Sequence, residues 1–361
     1  QRMVDCGRVR YLPLCDYQGD GMVSSLVSQR RYRVNAAKVV DATYMHVKVP
    51  ATHRPRYEVA DDAHCLPPNA LARVTGQWQH FVIIGAGKTA VDSCLFLLEN
   101  SVEPDRITWI KPRDSWYWNR AKAQAGEMFE TSILELSTGQ VSAAAASESM
   151  TDLYHQLSEQ GLFLRIDENR WPTMFRCATV TESEIEALRR LDNVIRMGRV
   201  TRVEAERLIL TEGTVDIPPG SLFVDCTADG LERRPATPVF DDNRITLQSV
   251  RTCQQVFSAA MIAHVEASES DPGKKNQLCT PVPHPDTDID LMRNLIADLA
   301  NAATWSQEPE LMNWLKHARL DGWSSPATSA EQDAAVYTNL LSIAPMAVEK
   351  LQGHLLACEE D

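Results

Sequence analysis

The run Phe81-Val82-Ile83-Ile84-Gly85-Ala86-Gly87-Lys88-Thr89-Ala90 limits what this chain can fold into more than any other stretch. Four apolar residues in a row suit a short strand covered on both faces. Two glycines then turn the chain into Val91-Asp92-Ser93-Cys94-Leu95-Phe96-Leu97-Leu98, apolar at helical spacing and ending near Asn100. The spacing Gly85-x-Gly87-x-x-Ala90 assigns each position a task. The first glycine permits a tight turn, the second lets backbone N–H groups approach a phosphate, and a small third residue lets helix pack closely on strand. A helix N-terminus adds unpaired donors and partial positive charge. Gly85, Ala86, Gly87, Lys88, Thr89 and Ala90 are therefore the expected pyrophosphate cradle of a dinucleotide site.

Two competing readings fail on spacing. Gly87-Lys88-Thr89 ends like an ATP-binding P-loop, but that motif needs a glycine where this chain has Val82. Gly19-Asp20-Gly21 repeats the glycine spacing with no helical pattern after it, and the Asp20 carboxylate would repel a phosphate, so it reads as a hairpin turn.

Which dinucleotide binds depends on the end of the next strand, Ile107-Thr108-Trp109-Ile110. An NAD site usually places an acidic residue there for the ribose hydroxyls, and this chain has Lys111-Pro112-Arg113. Lys111 and Arg113 would welcome a 2′-phosphate, so the expectation is NADP over NAD, softened by Asp114 next door.

The chain has 361 residues, 44% of them apolar, enough for two or three domains with buried cores. A net charge of −13 with no basic stripe argues against nucleic acid or an anionic membrane surface as partner. Nine cysteines, odd in number and without a CxxC, read as small apolar fillers in a reducing cytoplasm rather than disulfides or a zinc site. No apolar stretch is long enough to span a bilayer, and no secretory signal is present. The chain is already strand-like just after Gln1, which reads as a piece of something longer.

Arg8–Pro13, Met22–Val27 and Tyr32–Val40 read as three strands of an antiparallel meander, followed by a proline-rich passage with Pro50, Pro55, Pro67 and Pro68. Ser142–Ser147, with its four alanines, reads as an inserted helix or connector. Helices are expected at Thr151–Gln160 and, after a Thr181/Glu184 capping box, at Ile185–Leu191. Strands follow at Val194–Gly198, Thr201–Val203, Arg207–Leu210 and Leu222–Thr227. Beyond Pro235 the pattern is helical at Val256–Glu266, Asp288–Ala303, Pro309–Leu320, Ala330–Ser342 and Pro345–Cys358, with Pro309 and Pro345 in first turns.

In this layout Val40-Asp41-Ala42-Thr43-Tyr44 with Pro50, Gly85-Ala86-Gly87, and Val224-Asp225-Cys226-Thr227-Ala228-Asp229-Gly230 with Pro235 occur in that order. Over roughly residues 5 to 285 the chain resembles the flavoproteins with two dinucleotide-binding domains, the group that contains flavin-containing monooxygenases. The resemblance implies an α/β fold: a Rossmann-like NAD(P) domain inserted in a partial FAD-binding domain made of a β-meander and C-terminal helices. It implies segments 1–78 (FAD-domain part), 79–221 (NAD(P) domain, with an insertion at about 120–180) and 222–361 (FAD-domain return). Thr43, Tyr44, Thr227 and Ala228 would line the flavin; ordinary strand-end packing is the alternative. The family's first GxGxxG, which cradles the FAD pyrophosphate, is missing before Asp41, so the FAD site is incomplete here.

The resemblance also implies hydride transfer from nicotinamide to flavin, where cofactors carry the difficult step and few side chains need be catalytic. No GxSxG, no HExxH and no histidine at metal-ligand spacing occurs. Trp116-Tyr117-Trp118-Asn119-Arg120 reads either as a packing cluster or as a ring wall with Arg120 on a phosphate. Three readings stay open: an FAD- and NADPH-dependent oxidoreductase or monooxygenase with an unidentified small-molecule substrate, a flavin-free NADP-dependent dehydrogenase, and an NADP-binding scaffold without turnover.

Overall fold

The computed structural model describes residues 2–75, 78–128, 132–322 and 331–360. A short helix, α1 (Arg2–Asp5), precedes an antiparallel meander of β1 (Cys15–Tyr17), β2 (Met22–Ser25) and β3 (Arg31–Arg33). Gly19–Gly21 is the β1–β2 hairpin turn, as its composition implies. The strand expected at Arg8–Pro13 does not form. Tyr11 is 72% exposed, so this segment has no buried face to fix it, and Leu14 turns the chain at a φ of 51°. The run expected as one strand from Tyr32 to Val40 divides between two sheets. Its second half, β4 (Val39–Asp41), leaves the meander to pair elsewhere.

After β5 (Glu58–Val59), β6 (Cys65–Leu66) and α2 (Pro68–Leu71) come β7 (His80–Ile84), α3 (Lys88–Glu99) and β8 (Ile107–Ile110), a parallel βαβ unit. The chain then adds β9 (Ser115–Asn119), α4 (Ile133–Ala146), α5 (Met150–Glu159), β10 (Phe163–Leu164), β11 (Met174–Val180) and α6 (Glu182–Leu188). It returns through β12 (Val194–Ile195) and a second meander, β13 (Val200–Glu204), β14 (Arg207–Leu210) and β15 (Gly213–Asp216), to β16 (Ser221–Asp225). Last come β17 (Phe240–Asp241), β18 (Arg244–Thr246), α7 (Gln255–Ser268), α8 (Pro272–Leu278), α9 (Asp288–Ser306), α10 (Pro309–His317) and α11 (Glu331–Glu360).

The fold is α/β, centred on a five-stranded parallel sheet of order β12-β8-β7-β16-β6. Alternation along the strands sends Ile83, Trp109 and Val224 to one face, against Val91, Cys94 and Leu95 of α3 and Ile185 and Leu188 of α6. Val82, Ile84, Ile110 and Phe223 go to the other, against Val203, Leu208 and Leu210 of the second meander. Both faces are thus buried, which explains why β7 and β16 are apolar throughout their centres. The same arrangement occurs twice: a three-stranded meander leads into a strand that ends in Asp-x-Thr, once at β4 and once at β16. The first copy sits in a small sheet of order β17-β18-β4, with β4 and β18 parallel.

Of the two readings of the alanine run, the helix is the one the structure has. Ala143 and Ala144 are buried in α4, which packs on α11 through Ala347 and Leu351. The aromatic run forms β9, between β10 and β11, with Trp116 stacked on Tyr154 at 4.8 Å, so the packing reading holds there. Thr181 and Glu184 make the expected capping box on α6. The two helices expected around Pro345 are one, α11, with Pro345 inside it; Ala330 lies outside the described residues. The expectation of unpaired cysteines is corrected at one place: Cys177 of β11 and Cys253 form a disulfide, with Cα atoms 6.4 Å apart. Cys94, Cys226 and Cys279 are buried thiols. No helix among the described residues is long and apolar enough to cross a membrane.

Candidate functional site

The glycine turn stands at the carboxyl end of β7, with β8 on one side and β16 on the other. Chain order runs outward from β7 to β8 and β12 in one direction and resumes at β16 in the other, so this is the point where strand order reverses, the place where open α/β sheets bind ligands. Gly85 holds a φ of +140°, and a Cβ there would lie 2.6 Å from the Cys226 carbonyl oxygen. Its N–H donates to the Ile110 carbonyl at 3.0 Å, and the Gly85 carbonyl accepts from the Trp109 indole N–H at 2.7 Å. Gly85 is thus locked between β8 and β16. Gly87 differs: it is the N-cap of α3, no side chain caps the helix, and a Cβ built on it meets nothing within 4 Å. The space a side chain would fill is open, and no side chain caps the first turn of α3, which fits a diphosphate. Ala90 is fully buried in the core that α3 shares with the sheet. Ala86 is half-buried, Thr89 is exposed, and Lys88 pairs with Asp92 one helical turn on.

The cations that argued for NADP are placed otherwise than expected. Lys111 is 1% exposed, lies 4.7 Å over the Trp109 ring and pairs with Asp114 at 2.5 Å, while Arg196 holds the other side of that carboxylate. Burial pulls the Lys111 ammonium below its ordinary range, against the opposing pull of Asp114. Arg113 grips Asp286 through two hydrogen bonds of 3.1 and 3.2 Å. Arg120 is spent on Glu184 and the Thr179 carbonyl. The sequence showed three cations near the cradle; Asp114, the partner of Lys111, stands three residues on, but the partners of Arg113 and Arg120, Asp286 and Glu184, are far away in the chain and were not legible there.

The two Asp-x-Thr motifs fold alike. Asp41 accepts from the Thr43 N–H and hydroxyl at 2.8 and 2.7 Å, and Asp225 from those of Thr227 at 3.1 and 2.6 Å. Each is an Asx turn that ends a strand. Tyr44 donates its phenol to the Pro235 carbonyl, with Arg234 over its ring, so the segment leaving the first strand meets the segment following the second. Thr227 and Ala228 line a cleft of about 10 Å³ with Lys48 and Arg54, room for a water at most.

Asp286, which no sequence signal marked, is the hub beside these segments. Arg113, Arg176 and Arg233 all pair with it, and Arg176 continues to Asp229. Burial opposes its ionisation, but the Arg113 and Arg176 guanidiniums outweigh that and hold its carboxyl at about 2. Two residues earlier, burial pushes the His284 imidazole down to about 4, helped by the charges of Arg176 and Arg233 and opposed by Asp229 and Asp286. Between pH 6.5 and 4 the unfolded chain therefore takes up a proton at His284 that the folded chain refuses, so stability falls as pH falls through that window. The expected loss at pH 4 is about 3 kcal/mol from this group. Urea unfolding of wild type and His284→Gln at several pH values checks it; equal slopes in the two proteins would exclude His284 as the source.

No protein-family model matches the chain. It is similar to an uncharacterized protein of Mycobacterium bovis and to two of Mycobacterium tuberculosis, each 46% identical over 321 residues, covering 89% of this chain and 60% of the relative. The chain therefore spans about 60% of the length of these curated relatives. Among solved structures, a FAD-dependent pyridine nucleotide-disulphide oxidoreductase from Desulfovibrio vulgaris matches over 63% of this chain and 49% of its own, at 15% identity and a TM-score of 0.28.

Proposed function

We propose that this chain supplies the nicotinamide-dinucleotide site of an FAD- and NAD(P)H-dependent oxidoreductase, with monooxygenase chemistry as the finer form of the same reading. The open Cβ position of Gly87 at the uncapped start of α3, where strand order reverses, is the observation that carries it. Gly85 sets the turn, Gly87 leaves room for the pyrophosphate, and Ala90 brings α3 close to β7. When bound, the nicotinamide supplies a hydride and the flavin accepts it. The flavin half rests on the sequence resemblance, with the matched Asx turns at Thr43 and Thr227 in its support; the described residues contain no second glycine cradle.

The pairings of Lys111 and Arg113 bear on cofactor choice. A 2′-phosphate would have to displace Asp286 from Arg113 and has no open approach to Lys111. Calorimetric titration with NADH and NADPH tests both points. The expected outcome is binding of both, NADH at least as tightly as NADPH. Binding of neither would overturn the dinucleotide reading. A preference for NADPH of about tenfold, or 1.4 kcal/mol, would restore the two cations as phosphate ligands.

A further inference from the structure

β11 does not run evenly along β9. The two pair in parallel through Met174–Ser115 and Phe175–Trp116, and again through Thr179–Trp118 and Val180–Asn119. Between these pairs β9 supplies Tyr117 alone, while β11 supplies Arg176, Cys177 and Ala178, so the surplus bulges off the sheet. Cys177 stands at the centre of the bulge with a φ of 55° and is disulfide-bonded to Cys253, 76 positions on. Cys253 follows Thr252, whose φ of 30° is one that a β-branched residue rarely adopts. Thr252 is fastened to α9: its N–H donates to the Asp298 carboxyl at 2.8 Å and its hydroxyl to the Asn294 side chain at 3.0 Å. The disulfide therefore ties the bulge to a segment anchored on α9.

Two observations separate this bond from a staple of the fold. Disulfides are needed where a small domain cannot build a core, yet Phe175 and Trp116 beside the bulge already share a core with α4, α5, α9 and α11. Cys177 and Cys253 are each only half-buried, whereas the thiols of Cys94, Cys226 and Cys279 are buried. Disulfides that are exposed or held under strain are the labile, regulatory kind. What this one holds lies one residue earlier. Arg176, also in the bulge, donates to Asp286 at 2.6 Å and to Asp229 at 3.0 Å, and Asp229 lies two residues beyond Thr227 in the turn after β16. The bulge is thus fastened twice, covalently through Cys177 and by charge through Arg176.

We propose that Cys177–Cys253 is a thiol–disulfide exchange site for a dithiol, and that its reduction frees the bulge and loosens Arg176 from Asp229. A thiolate of the dithiol attacks one sulfur, the Cys177–Cys253 bond breaks as a mixed disulfide forms, and the second thiol of the dithiol then displaces the protein sulfur. Two electrons and two protons pass to the chain, which is left with two cysteine thiols while the dithiol leaves as its own disulfide. Without the tether, Cys177 is free to leave the left-handed region. The site shares no residue with the glycine turn and does not depend on a dinucleotide binding there.

Dithiothreitol is the probe, added at neutral pH without denaturant to the full chain purified without reductant. Alkylation followed by mass spectrometry should find two more modified thiols than in untreated protein, and peptide mapping should place them at Cys177 and Cys253. Amide hydrogen exchange should rise about tenfold at residues 176–178 and 227–230, as local opening there becomes easier, and stay unchanged in α3. Cys253→Ser should show the exchange of the reduced protein and be indifferent to dithiothreitol. Alkylation of both cysteines before reduction would show that the bond does not form, and reduction only in denaturant would make it a sealed staple. Either result would overturn the proposal, as would unchanged exchange at either segment after reduction or an equal rise in α3.

Discussion

Gly85→Val lowers the stability of this protein by about 2–6 kcal/mol, whereas Gly87→Val costs about 1 kcal/mol, the loss of a glycine N-cap, and removes dinucleotide binding. The first expectation sums two costs. A branched residue at φ +140° sits in a region essentially reserved for glycine, worth about 1–3 kcal/mol. Its Cβ, 2.6 Å from the Cys226 carbonyl oxygen, forces backbone atoms of β7 and β16 apart, worth about 1–3 kcal/mol more. At Gly87 neither cost arises, since φ is −85° and the Cβ position is open. What the valine fills is the space reserved for the pyrophosphate, so affinity should fall by about 100-fold or more, near 3 kcal/mol. Denaturant unfolding of both variants, with dinucleotide titration of Gly87→Val, separates the two roles. A Gly85→Val protein within about 1 kcal/mol of wild type would mean the turn relaxes freely. A Gly87→Val protein of normal affinity would remove the cradle.

Asp286→Ala is the second large effect, expected at about 3–5 kcal/mol. Three guanidiniums converge on a carboxylate that is 12% exposed, and deleting it leaves them facing one another. The shares differ. Arg233 is 58% exposed and its charge is easily solvated, so most of the cost falls on Arg113 and Arg176, at 28% and 32%. Arg113→Ala should therefore cost less than Asp286→Ala, because Arg176 and Arg233 still hold the carboxylate. Urea midpoints at neutral pH rank the two variants; the opposite order would show that Asp286 is not the hub.

The parts legible in the sequence are those whose cause is local. The glycine turn, the Thr181–Glu184 capping box and the hairpin at Gly19–Gly21 are each set by a few adjacent residues, and the structure has them all. The Asp-x-Thr pair was visible as a repeat, and its meaning, two Asx turns closing two parallel strands, follows from side chains two positions apart. Arg8–Pro13 misled because apolar residues make a strand only where a core receives them. Pro345 misled because a helix packed on both sides of it, from Leu340 to Cys358, survives one missing N–H. The Asp286 hub was beyond reach, since Arg113 lies 173 positions from its carboxylate. Lys111 misled for another reason: its partners Trp109 and Asp114 are adjacent in the chain, but a lysine after a strand reads as a phosphate ligand until its burial is known.

The pairings also nest. β7 meets β8 across one helix, β16 joins β7 by matching residue 221 to residue 80, and β18 joins β4 by matching residue 244 to residue 39. Each outer pairing encloses the inner one. The entropy of closing so long a loop is relieved once the enclosed chain has already contracted, because its ends are then near each other. Assembly thus has a preferred direction, outward from the glycine turn. The β4–β18 contact, which anchors the outer sheet, therefore closes at a smaller entropic cost once an inner sheet it never pairs with has formed.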